Sequence, residues 1–306
     1  MTAIGKAGPG AGLPTASVRR EPRRRSAILA FILAQPLGAA GLAVILIMGL
    51  AAVFAEVVAP YDPVANDFVA MLSPPSAEHL LGTDNFGRDI FSRIIYGART
   101  ALTIGFASSF LGCTLGGLIG IASAYFGGRI DLIVQRFVDV LLSFPIIVLA
   151  LVVVAVLGHN PVAGIDLNLI FAIAIPIVPR AARVLRSAAL AIREMPYVDA
   201  ARAGGYSDTH IILRHMAPNV VAPYLIILTA YIAQAILLEA SLSFLGLGVS
   251  EPKPAWGLML SGDSANFYLE APWMILFPGV AISLAVFAFN LFGDSLRDWL
   301  DPKFKT

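Results

Sequence analysis

The chain has 306 residues, of which 58% are hydrophobic and only 13% charged, and its mean hydropathy is +0.81. Soluble domains carry about a quarter charged residues, so a soluble globular fold is excluded and a multi-span membrane protein is indicated. The net charge of +1 says nothing about nucleic acid, the single cysteine (Cys113) excludes an internal disulfide or a cysteine-cluster metal site, and His79, His159, His210 and His215 show no metal-ligand spacing.

Residues 1–17 are rich in Gly, Ala, Pro, Ser and Thr and are expected to be disordered. The basic stretch RREPRRRS, Arg19 to Ser26, then precedes the first apolar run. That run is about as long as a membrane span and longer than a signal-peptide core. Glu-Pro after the first Arg pair also suits a twin-arginine signal poorly. An uncleaved first span over roughly 36–58 is therefore expected, with its basic flank in the cytoplasm.

Five further spans follow, at roughly 98–126, 132–157, 167–187, 220–246 and 273–293. Each supplies about 20 mostly apolar residues, the length a bilayer demands. Backbone amides in lipid must be satisfied within the segment, so the spans are helices and the fold is all-α. In span two, Gly112, Gly116 and Gly120 share one face and would let a neighbouring helix approach closely. Pro145, Pro176, Pro179, Pro223 and Pro278 punctuate the spans. They serve packing, or they kink helices that line a path that opens.

Lys and Arg orient the bundle. Only Arg88, Arg93, Arg99 and Lys253 fall in outer segments, and the other seventeen of the 21 fall in inner ones. Both termini are thus expected in the cytoplasm. The segments 59–97 and 248–272 face outside, and the second carries Glu251, Asp263 and Glu270. The expected divisions are a basic tail over 1–30, the first span and outer loop over 31–97, a core over 98–293, and a second tail over 294–306.

Between spans four and five lies the cytoplasmic loop 189–219, which contains YVDAARAGGYSDTHIILRHMAPN. Pro196 suits a helix first turn. Asp199 follows where the helix dipole favours an anion, and Ala200, Ala201 and Ala203 favour helix. Gly204 and Gly205 break or reverse it. Ser207 is a good N-cap for a second short helix with Asp208 at its positive end. That helix presents Ile211, Ile212 and Met216 and is expected to stop by Ala217, before Pro218. The surface around Ala200, Ala201 and Gly205 would admit another protein's groove. It also reads as an ordinary loop folded on its own protein, and its few basic residues disfavour DNA.

At this loop a family resemblance becomes specific. Permeases of bacterial ABC importers carry Glu-Ala-Ala, three residues, Gly, and about a dozen residues later Pro. Here the pattern reads Asp199-Ala200-Ala201, Gly205, Pro218, with Asp in place of the usual Glu and Ala217 where Leu usually precedes the Pro. HLLGTDNFGRDIFSRIIYGART, RFVDVLLSFP, LLEASLSFLGLG and GDSLRDWLDPK resemble the second permease of dipeptide, oligopeptide and nickel importers. The resemblance runs from about residue 30 to the C-terminus. It implies a six-helix permease of the type I importer architecture in a bacterial inner membrane. It also implies a homologous second permease, cytoplasmic ATPases that carry ATP and magnesium, and an extracytoplasmic binding protein. The loop would then be a coupling helix seated in an ATPase groove, with Asp199, Ala200, Ala201, Gly205, Ser207, Ile211 and Pro218 as its residues. No GxxxxGK[ST] loop is present, so this chain has no nucleotide site of its own. The resemblance makes peptides the expected cargo, with nickel, opines, glutathione and oligosaccharides carried by relatives.

Several charges stand out. Glu239 lies within span five, where a charge is costly. It reads as a gate or pathway residue, or as one side of an interhelical hydrogen bond. Arg136 and Asp139 are three apart and form an expected same-face pair. Arg180, Arg183 and Arg186 form a cationic stripe for lipid headgroups or the partner permease. The resemblance implies that Asp84, Arg88 and Asp89 are structural at the start of span two; contact with the binding protein is the alternative. No constellation suggests catalysis. A transporter or channel working without an ATPase is the alternative, with Glu239 as its main candidate.

Overall fold

The computed structural model describes residues 27–158, 160–162 and 165–300. The flanking basic residues Lys6, Arg19, Arg20, Arg23, Arg24, Arg25, Lys303 and Lys305, together with the tail expected over 1–17 and His159, lie outside the described residues.

Helix α1 (Ala27–Ala34) leads into α2 (Pro36–Val53), which opens on a proline in its first turn. One turn, α3 (Ala55–Val58), follows. After an irregular segment come α4 (Ile90–Phe126), α5 (Gly128–Leu142) and α6 (Ile146–Leu157). A hairpin of β1 (Pro161–Val162) and β2 (Ile165–Asp166) leads to α7 (Leu167–Arg193). Then come α8 (Pro196–Ala203), α9 (Asp208–His210), a π-helical turn Ile211–Met216, a 3-10 turn Ala217–Val220 and α10 (Val221–Phe244). The short α11 (Trp256–Met259) and the long α12 (Trp273–Leu300) close the order.

Among the described residues, five helices are long and apolar enough to cross a membrane, and the count reaches six if α5 and α6 form one span. The third expected span, 132–157, is not one straight helix. It breaks at Ser143–Pro145 and turns by 91°. Pro145 accounts for the break: it lacks an N–H and disfavours helical conformation in Phe144 before it. The second span begins at Ile90, eight residues earlier than expected.

Helix α4 is the axis of the bundle, with α7 along one side and α10 along another. Helix α12 packs between α2 and α10. The contact of α4 with α7 follows from the glycine face. A Cβ at Gly112, Gly116 or Gly120 would lie 2.4–2.8 Å from the carbonyl oxygens of Ala174, Val178 or Ala182, so only glycine permits this approach. The opposite faces remain apolar and open. Ile47 and Val53 of α2, Phe106 and Phe110 of α4, and Leu276 and Phe287 of α12 are all exposed. Such a belt suits acyl chains or a second apolar subunit rather than water.

Candidate functional site

The segment from Pro196 to Val220 closes one end of the bundle. Pro196 opens α8, and Asp199 and Arg202 pair at 3.2 Å. Gly204 caps the helix, and Gly205 takes a φ of +76°, the left-handed region that favours glycine. The side chain of Ser207 then caps α9 by accepting the amide of His210 at 3.4 Å. Both turn signals in the sequence therefore fold as expected.

The path beyond α9 differs from expectation. The second helix does not stop before Pro218. It widens to a π turn over Ile211–Met216, tightens to a 3-10 turn over Ala217–Val220, and continues as α10. A proline in an α-helix would clash with the carbonyl four residues back, and the change of helical register relieves that clash. The side chain of Asn219 covers the carbonyl of His215 by donating to it at 2.7 Å.

One face of this segment is bound to its own protein. Val198, Ala201, Ile211, Met216 and Val220 are buried with Ile121, Ala124 and Tyr125 of α4 and Leu185 and Ala189 of α7. The Tyr125 hydroxyl donates to Asp208 Oδ1 at 2.6 Å, and Arg202 lies 5.0 Å over the Tyr125 ring. Arg193 at the end of α7 donates to the Ala124 carbonyl at 3.0 Å. The loop is thus seated rigidly on α4 and α7.

The other face is open. Asp199, Ala200, Gly205, Ser207 and Pro218 are exposed, whereas Ala201 and Ile211 are buried within the chain. The structure thus divides the seven candidate residues into five that another molecule could touch and two that hold the loop. Tyr197, Tyr206 and Leu213 join the open face at 41%, 55% and 54% exposure. Tyr206 stacks on His210 with ring centroids 4.8 Å apart. Large exposed side chains amid small ones were a signal available in the sequence.

The isolated charges find partners mostly within the chain. Glu239 is wholly buried, and its Oε1 accepts from Ser243 Oγ at 2.7 Å, while Oε2 has no partner. The bond lies within α10, not between helices. Asp139 pairs with Arg183 of α7, not with Arg136 three residues away on its own helix. Asp131 takes two hydrogen bonds from Arg186, the one from Nε at 2.6 Å. Arg180 donates to the Pro176 carbonyl at 2.8 Å. The expected cationic stripe is therefore largely consumed by α5 and by α7 itself.

At the far end of α4, Asp89 caps the helix, accepting the amide of Ser92 at 2.8 Å and its hydroxyl at 2.7 Å. Asp84 accepts the amides of Phe86 and Arg88, both at 2.9 Å, and Arg88 Nε at 2.7 Å. Asp84 and Asp89 thus hold the local fold, as the resemblance implies.

Comparison with known proteins places this architecture. Residues 116–306 match the family described as binding-protein-dependent transport system inner membrane component. Residues 28–75 match the N-terminal transmembrane domain of oligopeptide transport permease C. A putative peptide transport system permease protein of Brucella suis is 44% identical over 87% of each chain. A dipeptide transport system permease protein of Alkalihalophilus pseudofirmus is 43% identical over 87% of this chain and 86% of its own. A probable D,D-dipeptide transport system permease protein of Escherichia coli is 38% identical over 94% and 96%. Among solved structures, the inward-facing MetNI methionine ABC transporter has a chain of similar fold, with a TM-score of 0.54 at 17% identity, covering 69% of this chain and 98% of that one.

Proposed function

The chain belongs to the family of binding-protein-dependent transport inner membrane components, and from that membership we propose that it is one permease of an ATP-driven importer of short peptides. It forms the translocation path with a homologous second permease. An extracytoplasmic binding protein delivers the solute, and the ATPases are separate chains on the cytoplasmic side. Both termini lie in the cytoplasm, as the distribution of Lys and Arg argues. The core over 98–293 carries the path, and the segments before and after it are the flanks.

The observation that carries this reading is the two-faced loop between α7 and α10. Its inner face is locked to α4 and α7, and its outer face shows Asp199, Ala200, Gly205, Tyr206 and Pro218. A force applied to the outer face is therefore passed to two spanning helices rather than absorbed by a slack loop. That is the property a coupling element needs. The relatives named as peptide and dipeptide permeases support the cargo class. The alternative of a transporter without an ATPase rested on Glu239. Its carboxyl is enclosed by its own chain and bonded to Ser243, which gives that alternative no support.

Gly205 supplies the test. A Cβ there meets nothing within 4 Å, so the chain itself leaves room for a side chain to start at this position. The left-handed backbone adds about 1–2 kcal/mol of local strain for a non-glycine residue, and asparagine tolerates that conformation best. Gly205→Trp should insert normally, lose co-purifying P-loop ATPases and lose at least tenfold in peptide uptake, while Gly205→Asn keeps most of both. Normal uptake with Gly205→Trp, or purification without any ATPase from the wild type, would count against the reading.

A further inference from the structure

A cavity of about 400 Å³ opens beside the start of α4. It lies at the end of α4 opposite the docking loop, about 55 Å away at 1.5 Å per residue over 37 residues. On the orientation proposed above this end faces outward.

Its wall holds two enclosed guanidiniums. The side chains of Arg88 and Arg93 are 7% and 1% exposed, and both line the cavity with Phe86, Met259 and Met274. Two carboxylates answer them, and they are not equivalent. Asp84 Oδ2 lies 2.7 Å from Arg88 Nε and 3.8 Å from Arg93 Nε, while Oδ1 is held by two backbone amides. Asp84 is therefore a fixed part of its loop. Glu251 comes from the segment after α10 and is half exposed. Its Oε2 lies 2.8 Å from Arg88 Nη1, and its Oε1 is 3.9 Å from Arg93 Nη2.

Arg93 is under-satisfied. Its Nη1 donates to the Pro63 carbonyl at 2.9 Å, but the enclosed Nε has no hydrogen-bond partner, and the approach of Glu251 is too long for a hydrogen bond. A buried guanidinium left short of acceptors is costly. The paired arginines match a carboxylate in geometry, since the planar fork can donate twice to one. Glu251 meets that demand in part, from an exposed position that it can leave.

We propose that this cavity is a carboxylate-binding site for the C-terminus of a short peptide, with Glu251 as an internal occupant that the ligand displaces. Arg88 and Arg93 hold the carboxylate, and the apolar wall of Phe86, Met259 and Met274 receives the adjoining side chain. The volume lies in the range of small-ligand pockets. The choice of a peptide as ligand rests on the importer reading.

The test is equilibrium binding of tritiated Leu-Phe to the full-length chain in nanodiscs, with its co-purifying subunits and no binding protein added. The wild type should bind saturably, and Leu-Phe amide should compete at least tenfold less well than the free acid. Glu251→Gln should bind at least fivefold tighter. A merely structural Glu251 would give weaker binding or none, the opposite sign. No saturable binding, equal competition by acid and amide, or no gain from Glu251→Gln would each overturn the site. The acid and amide comparison needs no variant, so misfolding of Glu251→Gln cannot hide the answer. Absence of ATPases from the preparation would instead count against the importer reading, and it is scored separately from binding.

Discussion

Asp89 shows how one side chain sets the start of the longest helix. It accepts two hydrogen bonds from Ser92 and lies 3.0 Å from His79 Nδ1, while 3% exposed. Losing an N-cap costs about 0.5–2 kcal/mol, and here the Ser92 hydroxyl loses its acceptor as well. Asp89→Ala should therefore lower the thermal midpoint of the detergent-purified protein clearly, and Asp89→Asn by much less, because the amide oxygen still accepts. Equal loss in both would transfer the effect from the cap to the charge facing His79. The family resemblance marks Asp84, Arg88 and Asp89 as structural, and hydropathy starts the second span at 98, whereas its helix begins at Ile90. A hydropathy pattern cannot see Glu251 or the Pro63 carbonyl closing over the Arg93 side chain. Asp139 failed for the same reason. Spacing proposed Arg136 on the same helix, whereas the partner, Arg183, is 44 residues away.

At the scale of elements, the glycine face of α4 makes the sharpest contrast. At Gly116 a Cβ would stand 2.4 Å from the Val178 carbonyl and 2.8 Å from Ala181 Cβ. Gly49 in α2 meets nothing within 4 Å. Gly116→Leu should separate α4 from α7 and leave little monodisperse protein in size-exclusion chromatography. Gly49→Ala should elute as wild type and be more stable by about 0.5–1 kcal/mol, the difference in helix propensity. Similar behaviour of the two variants would show that the close approach of α4 and α7 is not what holds the bundle. The glycine repeat was legible because small residues at that spacing have one common use in membranes. The two irregular elements were less so. Sequence alone leaves Pro145 as a kink or a packing residue, and in the structure the helix ends there and the chain turns by 91°. Sequence alone makes Pro218 a stop, and in the structure the chain passes through it by a change of helical register. A proline specifies that the regular hydrogen-bond ladder is interrupted. Whether the chain breaks, bends or rewinds depends on what packs around it.

At the scale of the whole molecule, α5 is attached the wrong way round for a protein in water. Its polar face is pinned to the bundle through Asp131 with Arg186, Asp139 with Arg183, and Gln135 with Ser123 at 3.3 Å. Its apolar stripe of Ile130, Ile133, Phe137 and Val140 points away, each residue more than half exposed. The number of spans and the bias of basic residues could be read without coordinates, because both are set by the bilayer itself. This inverted attachment could not, because it depends on arginines about 50 residues further along the chain. If the polar face is the anchor, the Asp131–Arg186 pair should govern the position of α5. A hydrogen-bonded charge pair is worth about 1.5–3 kcal/mol, or about 10- to 100-fold in an opening equilibrium. Asp131→Arg should raise hydrogen exchange across 128–142 by that factor, since two like charges then face each other. The double exchange Asp131→Arg with Arg186→Asp should restore protection, because it rebuilds the pair with its ends reversed. Were the single variant as protected as the wild type, the apolar stripe and its surroundings would hold α5, and the ion pairs would be incidental to a helix already fixed by lipid.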